Sequence, residues 1–318
     1  MENRTVISEF ILLGFTDIQE LQIIIFTILT ITYILTIAGN LLIIVVTLVD
    51  SNLQTPMYFF LRNFSLLEIG FTSVVIPKAL FNMALGSKTI SFLGCLTQSF
   101  LYFLVGTTDL LLLAAMSFDR YVAICNPLHY NTIMNTRVCS LLVLGSWIES
   151  FLFLIIPSLL FVWMPFCGSN VLDHFFCDGT PMRKLLCGDR RLLDMISLII
   201  ALFSLVSGLT VIIMSYIKIT LTVIRIPSAT GRQKAFSTCA SHLTVVSITY
   251  GSCIFMYGKP AGSNGLDSSK SVAVLNTIVS PLLNPFIYTL RNKQVQNALK
   301  DIAHRAWCFR WSWESGGK

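Results

Sequence analysis

Charge is what this chain has least of. Of its 318 residues only 12% are Asp, Glu, Lys or Arg, where an ordinary soluble domain carries about a quarter. That shortage excludes a water-solvated globular architecture, and the remaining charges are unevenly spread. Residues 21–49, 195–217, 235–258 and 271–290 contain none at all. Each run reaches or exceeds the roughly 20 residues that a helix needs to cross a hydrocarbon layer about 30 Å thick. Histidine is also scarce, and His129, His174, His242 and His304 stand at neither metal-ligand nor nucleophile–base spacing. No enzyme chemistry, metal site, cofactor or nucleic-acid partner is therefore expected. The chain lacks internal repeats, and without an inverted repeat or paired broken helices it is a poor transporter or channel. The first apolar run starts late, is long and has no small-residue cleavage site, so it reads as a span and not as a cleaved leader.

Three more apolar stretches, about 57–84, 90–118 and 139–164, are each interrupted in mid-run by one acid: Glu68, Asp109 and Glu149. The total is seven spans, at about 22–49, 57–84, 90–125, 139–164, 193–225, 234–258 and 269–290. The fold class expected is an all-α membrane protein, a single domain built as a seven-transmembrane helix bundle. After the last span, Val295, Ala298, Leu299 and Ile302 recur at helical spacing among Lys293, Lys300 and Asp301, which suits a short amphipathic helix on the membrane surface.

With residues 1–21 outside and 291–318 inside, 13 Lys and Arg fall on the cytoplasmic side and 9 on the other. Four of those nine, Arg183, Lys184, Arg190 and Arg191, sit in the long loop 165–192, where the positive-inside rule is weak. The sequon Asn3-Arg4-Thr5 agrees, because glycosylation at Asn3 requires that segment to face the lumen. A plasma-membrane, multi-pass chain in contact with lipid follows as the expected placement. Cys95, Cys167, Cys177 and Cys187 lie on the oxidising side, where spacing alone leaves three possible disulfide pairings. Cys308, among Trp307, Phe309, Trp311 and Trp313, is a palmitoylation candidate.

Charged groups in hydrocarbon cost at least a few kcal/mol and usually face the bundle interior. At about 1.5 Å per residue, Asp109 lies roughly 16 Å from Arg120, and Glu68, Asn40 and Asn284 fall at a similar depth on their own spans. Four polar residues thus share one layer. They could hold water or a cation between the two acids, keep one acid protonated, or each find a separate backbone or hydroxyl partner. Glu149 has no companion at its depth and is assigned no role.

Gly39-Asn40, PMYFFL at 56–61, MSFDRYVAICNPLHY at 116–130, Ser215-Tyr216, KAFSTCASHLTVV at 234–246 and PLLNPFIYTLRN at 281–292 occur in order across the spans. Together they resemble the odorant receptors, a branch of the rhodopsin-like G-protein-coupled receptors. The resemblance implies disulfides Cys95–Cys177 and Cys167–Cys187. It implies a switch at Asp119, Arg120 and Tyr121, with Tyr216 and Tyr288 as partners on activation, and a hinge at Asn284-Pro285. Glu68 stands where most members have Asp, Phe118 where Tyr is usual, Ile76 where Val often precedes Pro77-Lys78, and Thr249 where an aromatic often precedes Tyr250-Gly251.

By the same resemblance a ligand pocket is expected among Tyr102, Phe103, Gly106 and Thr107 of the third span and Tyr250, Cys253, Ile254 and Tyr257 of the sixth. Ala201, Ser204 and Thr277 are further candidates. Tyr102 occupies the place where amine receptors of the superfamily carry an acid, so a cationic amine lacks its usual counter-ion. A small, mostly apolar, neutral odorant of about a dozen heavy atoms is expected, with a stimulatory heterotrimeric G protein as partner and cAMP as output. Other readings are a rhodopsin-like receptor for another small endogenous ligand and, less in keeping with the motifs, a transporter or channel.

Overall fold

The computed structural model describes residues 8–167, 169–257, 265–291 and 294–301. Six long helices are α1 (Gln19–Val49), α2 (Pro56–Leu85), α3 (Phe92–Cys125), α4 (Thr136–Trp163), α5 (Arg191–Ile224) and α6 (Ala229–Tyr257). The last, α7, runs in three pieces: Gly265–Val274, a π-helical turn Leu275–Val279, and Ser280–Arg291. Six of the seven are long and apolar enough to cross a membrane; α6 offers a shorter apolar stretch, Cys239–Phe255. Residues 294–301 form a further helical stretch, with Val295 and Ala298 buried against the bundle. Asn3 and Cys308 lie outside the described residues.

Local chemistry sets the helix ends. Pro56 opens α2, where its missing N–H costs nothing, and Gly86 closes it in the left-handed region at φ 64°. The hydroxyl of Ser91 caps α3 by accepting from the Gly94 amide at 3.1 Å, and Asn135 caps α4 by accepting from Val138 at 3.0 Å. Hydroxyls inside the spans turn back on their own helices: Thr36, Thr47, Thr72, Ser117 and Ser150 each donate to the carbonyl four residues earlier.

Packing is inverted relative to a soluble protein. Ile23, Ile24, Ile31 and Ile34 of α1 and Leu198, Ile199 and Phe203 of α5 point outward, whereas Asn40, Glu68, Asp119, Arg120, His242 and Asn284 are buried. Water could not solvate such a surface; hydrocarbon can, provided the backbone is satisfied within each helix.

The seven-helix bundle expected from the sequence also carries a small sheet, whose central strand is β1 (Glu9–Leu12) of the amino-terminal segment. β1 pairs antiparallel with β2 (Thr89–Ser91), with Phe10 opposite Ile90, and parallel with β3 (Val171–Leu172) of the long loop. The period-2 alternation of a strand buries Phe10 and Leu12 while Glu9 stays exposed. This sheet and the stapled loop form a lid over one end of the bundle.

Candidate functional site

Beneath the lid lies a cavity of about 740 Å³, walled by α3 to α7 and reaching Glu68 of α2 at its floor. Phe71, Tyr102, Phe103, Gly106, Thr107 and Leu110 line its α2–α3 side. Leu154, Pro157, Ser158 and Phe161 come from α4, Ser197, Ala201 and Ser204 from α5, Thr249 and Cys253 from α6, and Asn276 and Ser280 from α7. Rings dominate one wall: Tyr102 stacks on Phe71 at 4.9 Å and meets the lid residue Phe176 at 4.7 Å.

Of the residues expected to form a pocket, Tyr102, Phe103, Gly106, Thr107, Ala201, Ser204 and Cys253 all line this cavity. Three do not. Ile254 is 47% exposed on the outer face of α6. One residue on from Cys253, it is turned about 100° around the helix, and on α6 that step carries its side chain from the cavity wall to the outer face. Tyr250 is buried beneath the cavity, its hydroxyl donating to the Leu110 carbonyl at 2.8 Å and lying against Gly208, where any side chain would collide with it. Thr277 is fully buried and donates to the Ala273 carbonyl at 2.6 Å, since the π turn brings its neighbour Asn276 to the cavity instead. The side chain of Tyr257 lies outside the described residues.

The lid is fastened covalently by Cys95–Cys177 and Cys167–Cys187, with Cα–Cα separations of 5.4 and 5.5 Å. Gln98 adds a bridge from α3, donating to the Val74 carbonyl of α2 at 2.9 Å and accepting from the Cys177 amide at 3.0 Å. His174 is buried between Phe175 and Phe176, neither ring nitrogen has a hydrogen-bond partner, and burial with the nearby Lys270 ammonium pushes its pKa down to about 4. Lys270 pairs with Asp173 at 2.6 Å and Lys88 with Asp17 at 2.7 Å, and the Lys88 ammonium holds the Asp17 carboxyl below the usual carboxylate range.

At the cavity floor Asn284 donates to Glu68. Asn40 donates to the Thr36 carbonyl at 3.0 Å and to the Pro281 carbonyl of α7 at 3.4 Å. One oxygen of Asp109 and the amide oxygen of Asn284 are buried without partners. The four residues therefore divide: Glu68 and Asn284 are bonded directly, Asn40 ties α1 to α7, and Asp109 stands opposite with a free acceptor. The described residues contain no cluster of three or more His, Cys, Asp or Glu suited to a metal.

At the opposite end Arg120 and Asp119 are both buried, their side chains 3.5 Å apart, and the Tyr130 hydroxyl donates to Asp119 at 2.7 Å. Burial and the adjacent Asp119 charge push the Tyr130 phenol upward. Tyr121 packs beside Phe118, with ring centroids 6.0 Å apart. Tyr216 does not reach for Arg120 here; its hydroxyl meets Nδ1 of His242 at 2.8 Å, while Nε2 of His242 lies 3.2 Å from the Leu113 carbonyl of α3. The Tyr288 hydroxyl is buried and unpartnered, its ring edge-on to Phe64.

A family model described as olfactory receptor matches residues 29–305. The chain belongs to the olfactory receptor family. It is 54% identical over 309 residues to olfactory receptor 6C1 of Homo sapiens, covering 97% of this chain and 99% of that protein. It is 56% identical over 303 residues to olfactory receptor 6E1 of Mus musculus, covering 95% and 96%. Squid rhodopsin has a similar fold at a TM-score of 0.68 and 18% identity, over 90% of this chain and 82% of that one. The chain is thus a multi-pass membrane receptor of the G-protein-coupled class and not an enzyme.

Sequence reasoning missed several of this receptor's cavity and core contacts. Gln98 and His242 each sit among small hydroxyl residues with nothing local to mark them, and only the fold reveals that each bridges three segments. Asp178, Gly179 and Met182 of the lid line the cavity because two disulfides fold the loop inward, which no local pattern announces. A Cβ on Gly179 would come within 3.1 Å of the Phe103 ring, so glycine is what permits that close approach.

Proposed function

We propose that this receptor binds a small, mostly apolar, neutral odorant in the cavity beneath the lid and answers by activating a stimulatory heterotrimeric G protein, which raises cAMP. The observation that carries the reading is the cavity itself. Its volume of about 740 Å³ falls within the roughly 300–1,000 Å³ of small-molecule sites, and its walls are mainly aromatic and aliphatic with a few convergent polar groups. Tyr102, Phe103, Gly106, Thr107, Ala201, Ser204 and Cys253 are the contacts assigned to the ligand, and Tyr250 is the trigger directly below it. In this reading the lid end faces outward from the plasma membrane and the Arg120 end meets the G protein in the cytoplasm, on a single seven-helix domain.

Coupling between the two ends runs through α6. A ligand pressing on Cys253 strains the Tyr250–Leu110 bond, which lies one turn lower on the same helix. Outward movement of α6 parts Tyr216 from His242, and Tyr216 and Tyr288 then become partners for Arg120 in place of Asp119. Pro285, beside Asn284, removes a ladder hydrogen bond in α7 and supplies the hinge. The unpartnered oxygens of Asp109 and Asn284, with Glu68 and Asn40 close by, suit a water or a small hard cation that holds the resting state.

The test is a broad odorant panel in cells that express the receptor with an olfactory-type stimulatory G protein. At least one odorant raises cAMP, and Arg120→Ala abolishes the response at unchanged surface expression. Ligand-gated current that persists without any G protein overturns the reading.

A further inference from the structure

The cavity wall between α6 and α7 carries a polar group whose orientation is fixed. Asn276 lies in the π turn of α7, lines the cavity and meets the Ser252 hydroxyl of α6 at 2.6 Å. The Ser252 hydroxyl shares its one proton between the Thr249 carbonyl of its own helix at 2.8 Å and the Asn276 amide oxygen, the shorter and stronger of the two contacts, so the oxygen of that amide faces Ser252. Its NH₂ group is thereby left on the cavity side, with no other hydrogen-bond partner among the described residues. Beside it, Thr249 also lines the cavity, and its hydroxyl is buried without a partner. By contrast, the Ser204 hydroxyl on the α5 wall is already bonded to its own helix, at the Ile200 carbonyl.

We infer that Asn276 is the hydrogen-bond donor that orients the ligand and that the receptor is tuned to molecules bearing a carbonyl acceptor: ketones, aldehydes or esters. The inference rests on the cavity being the ligand site. Ser252 acts as a positioning residue by occupying the amide oxygen. An amide donor gives nothing to a hydrocarbon, and a ligand whose chief requirement is an acceptor gains nothing from this corner.

The experiment uses the full-length receptor and a matched probe set: methyl ketones, aldehydes and methyl esters of about six to ten carbons, each paired with the alkane and the primary alcohol of equal heavy-atom count, a range that suits a small enclosed cavity. Wild type answers carbonyl members most strongly. Asn276→Leu and the near-isosteric Asn276→Asp both lose about ten-fold in potency for those members, the order expected for one buried hydrogen bond, while any hydrocarbon response is unmoved. Ser252→Ala gives a smaller loss of the same selectivity, and Ser252→Thr restores it, which a merely structural role would not do. Surface expression is measured for every variant. A wild-type response confined to alkanes or alcohols, or an equal shift of all chemical classes in Asn276→Asp, overturns the inference. Ala201→Phe serves as the cavity control: if it abolishes the response while Asn276→Asp spares carbonyl probes, the cavity reading stands and the anchor is wrong, whereas an unchanged response in both variants removes the cavity reading as well.

Discussion

The two ends of this receptor are held together by different kinds of force. At the lid end, two disulfides, a three-stranded sheet, the Gln98 bridge and a packed group of Phe15, Phe175 and Phe176 fasten the loop to α2 and α3. At the opposite end, Arg120–Asp119, Tyr130–Asp119, Tyr216–His242 and His242–Leu113 are separate polar contacts of 2.7 to 3.5 Å. A net hydrogen bond contributes about 1 kcal/mol, so no single contact there locks the bundle. Recognition needs one shape, and signalling needs two shapes of nearly equal energy. Under the proposed function the difference in bonding serves that division: covalent closure over the cavity assigned to the ligand, reversible contacts where the proposed mechanism has helices part.

If the comparison is sound, damage to the lid should cost stability and damage to the opposite end should shift activity. Cys177→Ser gives the largest effect. Opening a disulfide that spans 82 residues removes about 4.5 kcal/mol by the chain-entropy relation, and the thermal inactivation temperature of detergent-extracted receptor should fall steeply with it. Unchanged thermal stability would mean that the sheet, and not the disulfide, holds the lid. Phe10→Ala follows at about 3 kcal/mol, because the ring is fully buried against Phe92 and Phe166 at 5.8 Å. Its signature is faster proteolysis of the amino-terminal segment.

The lid should also be sensitive to acid. His174 is held neutral at a pKa of about 4, below the ordinary 6.5, so the unfolded chain takes up its proton first as pH falls. The contribution is fully present above pH 6.5 and is lost between pH 6.5 and about 4, amounting to roughly 3 kcal/mol at most. His174→Phe flattens the melting temperature across that window. A variant that keeps the wild-type slope places the acid sensitivity elsewhere.

How much of this was legible beforehand follows from which forces write themselves into local pattern. The seven helices were legible because hydrocarbon demands long apolar runs, four of them free of charge and three interrupted by a single acid, and the helix ends fall within a few residues of the expected bounds. The aromatic third-span wall was legible through spacing and motif together. β1 was not, because EFIL has three apolar residues in a row and a four-residue strand is stable only with partners 80 and 160 residues away. Asn276 was passed over in favour of Thr277 for a similar reason: helical spacing presumes 3.6 residues per turn, and a π turn changes the phase without leaving a signature in composition. Ile254 is a matter of phase as well: on α6 the step of about 100° past Cys253 carries it to the outer face, and spacing alone does not say which of two neighbours faces inward.

The smallest effect tests the looser end. Tyr216→Phe removes the hydroxyl bonded to His242 but keeps the ring, whose centroid stacks 6.0 Å from the imidazole, so packing is preserved and about 1 kcal/mol is lost. Since this contact belongs to the resting arrangement, its loss alone would favour the state in which α6 has moved and raise basal cAMP about five-fold, the population factor for 1 kcal/mol. The proposed mechanism also gives the Tyr216 hydroxyl a place in the active state as a partner of Arg120, and removing it there works in the opposite direction. His242→Phe separates the two roles, because it breaks the resting contacts to Tyr216 and Leu113 while leaving Tyr216 free to meet Arg120. Basal signalling should therefore rise more in His242→Phe than in Tyr216→Phe, at equal surface expression. If both variants instead lose thermal stability as Cys177→Ser does and basal cAMP stays flat, the contacts at this end are structural staples, and the contrast between a fastened receiver and a separable transmitter fails.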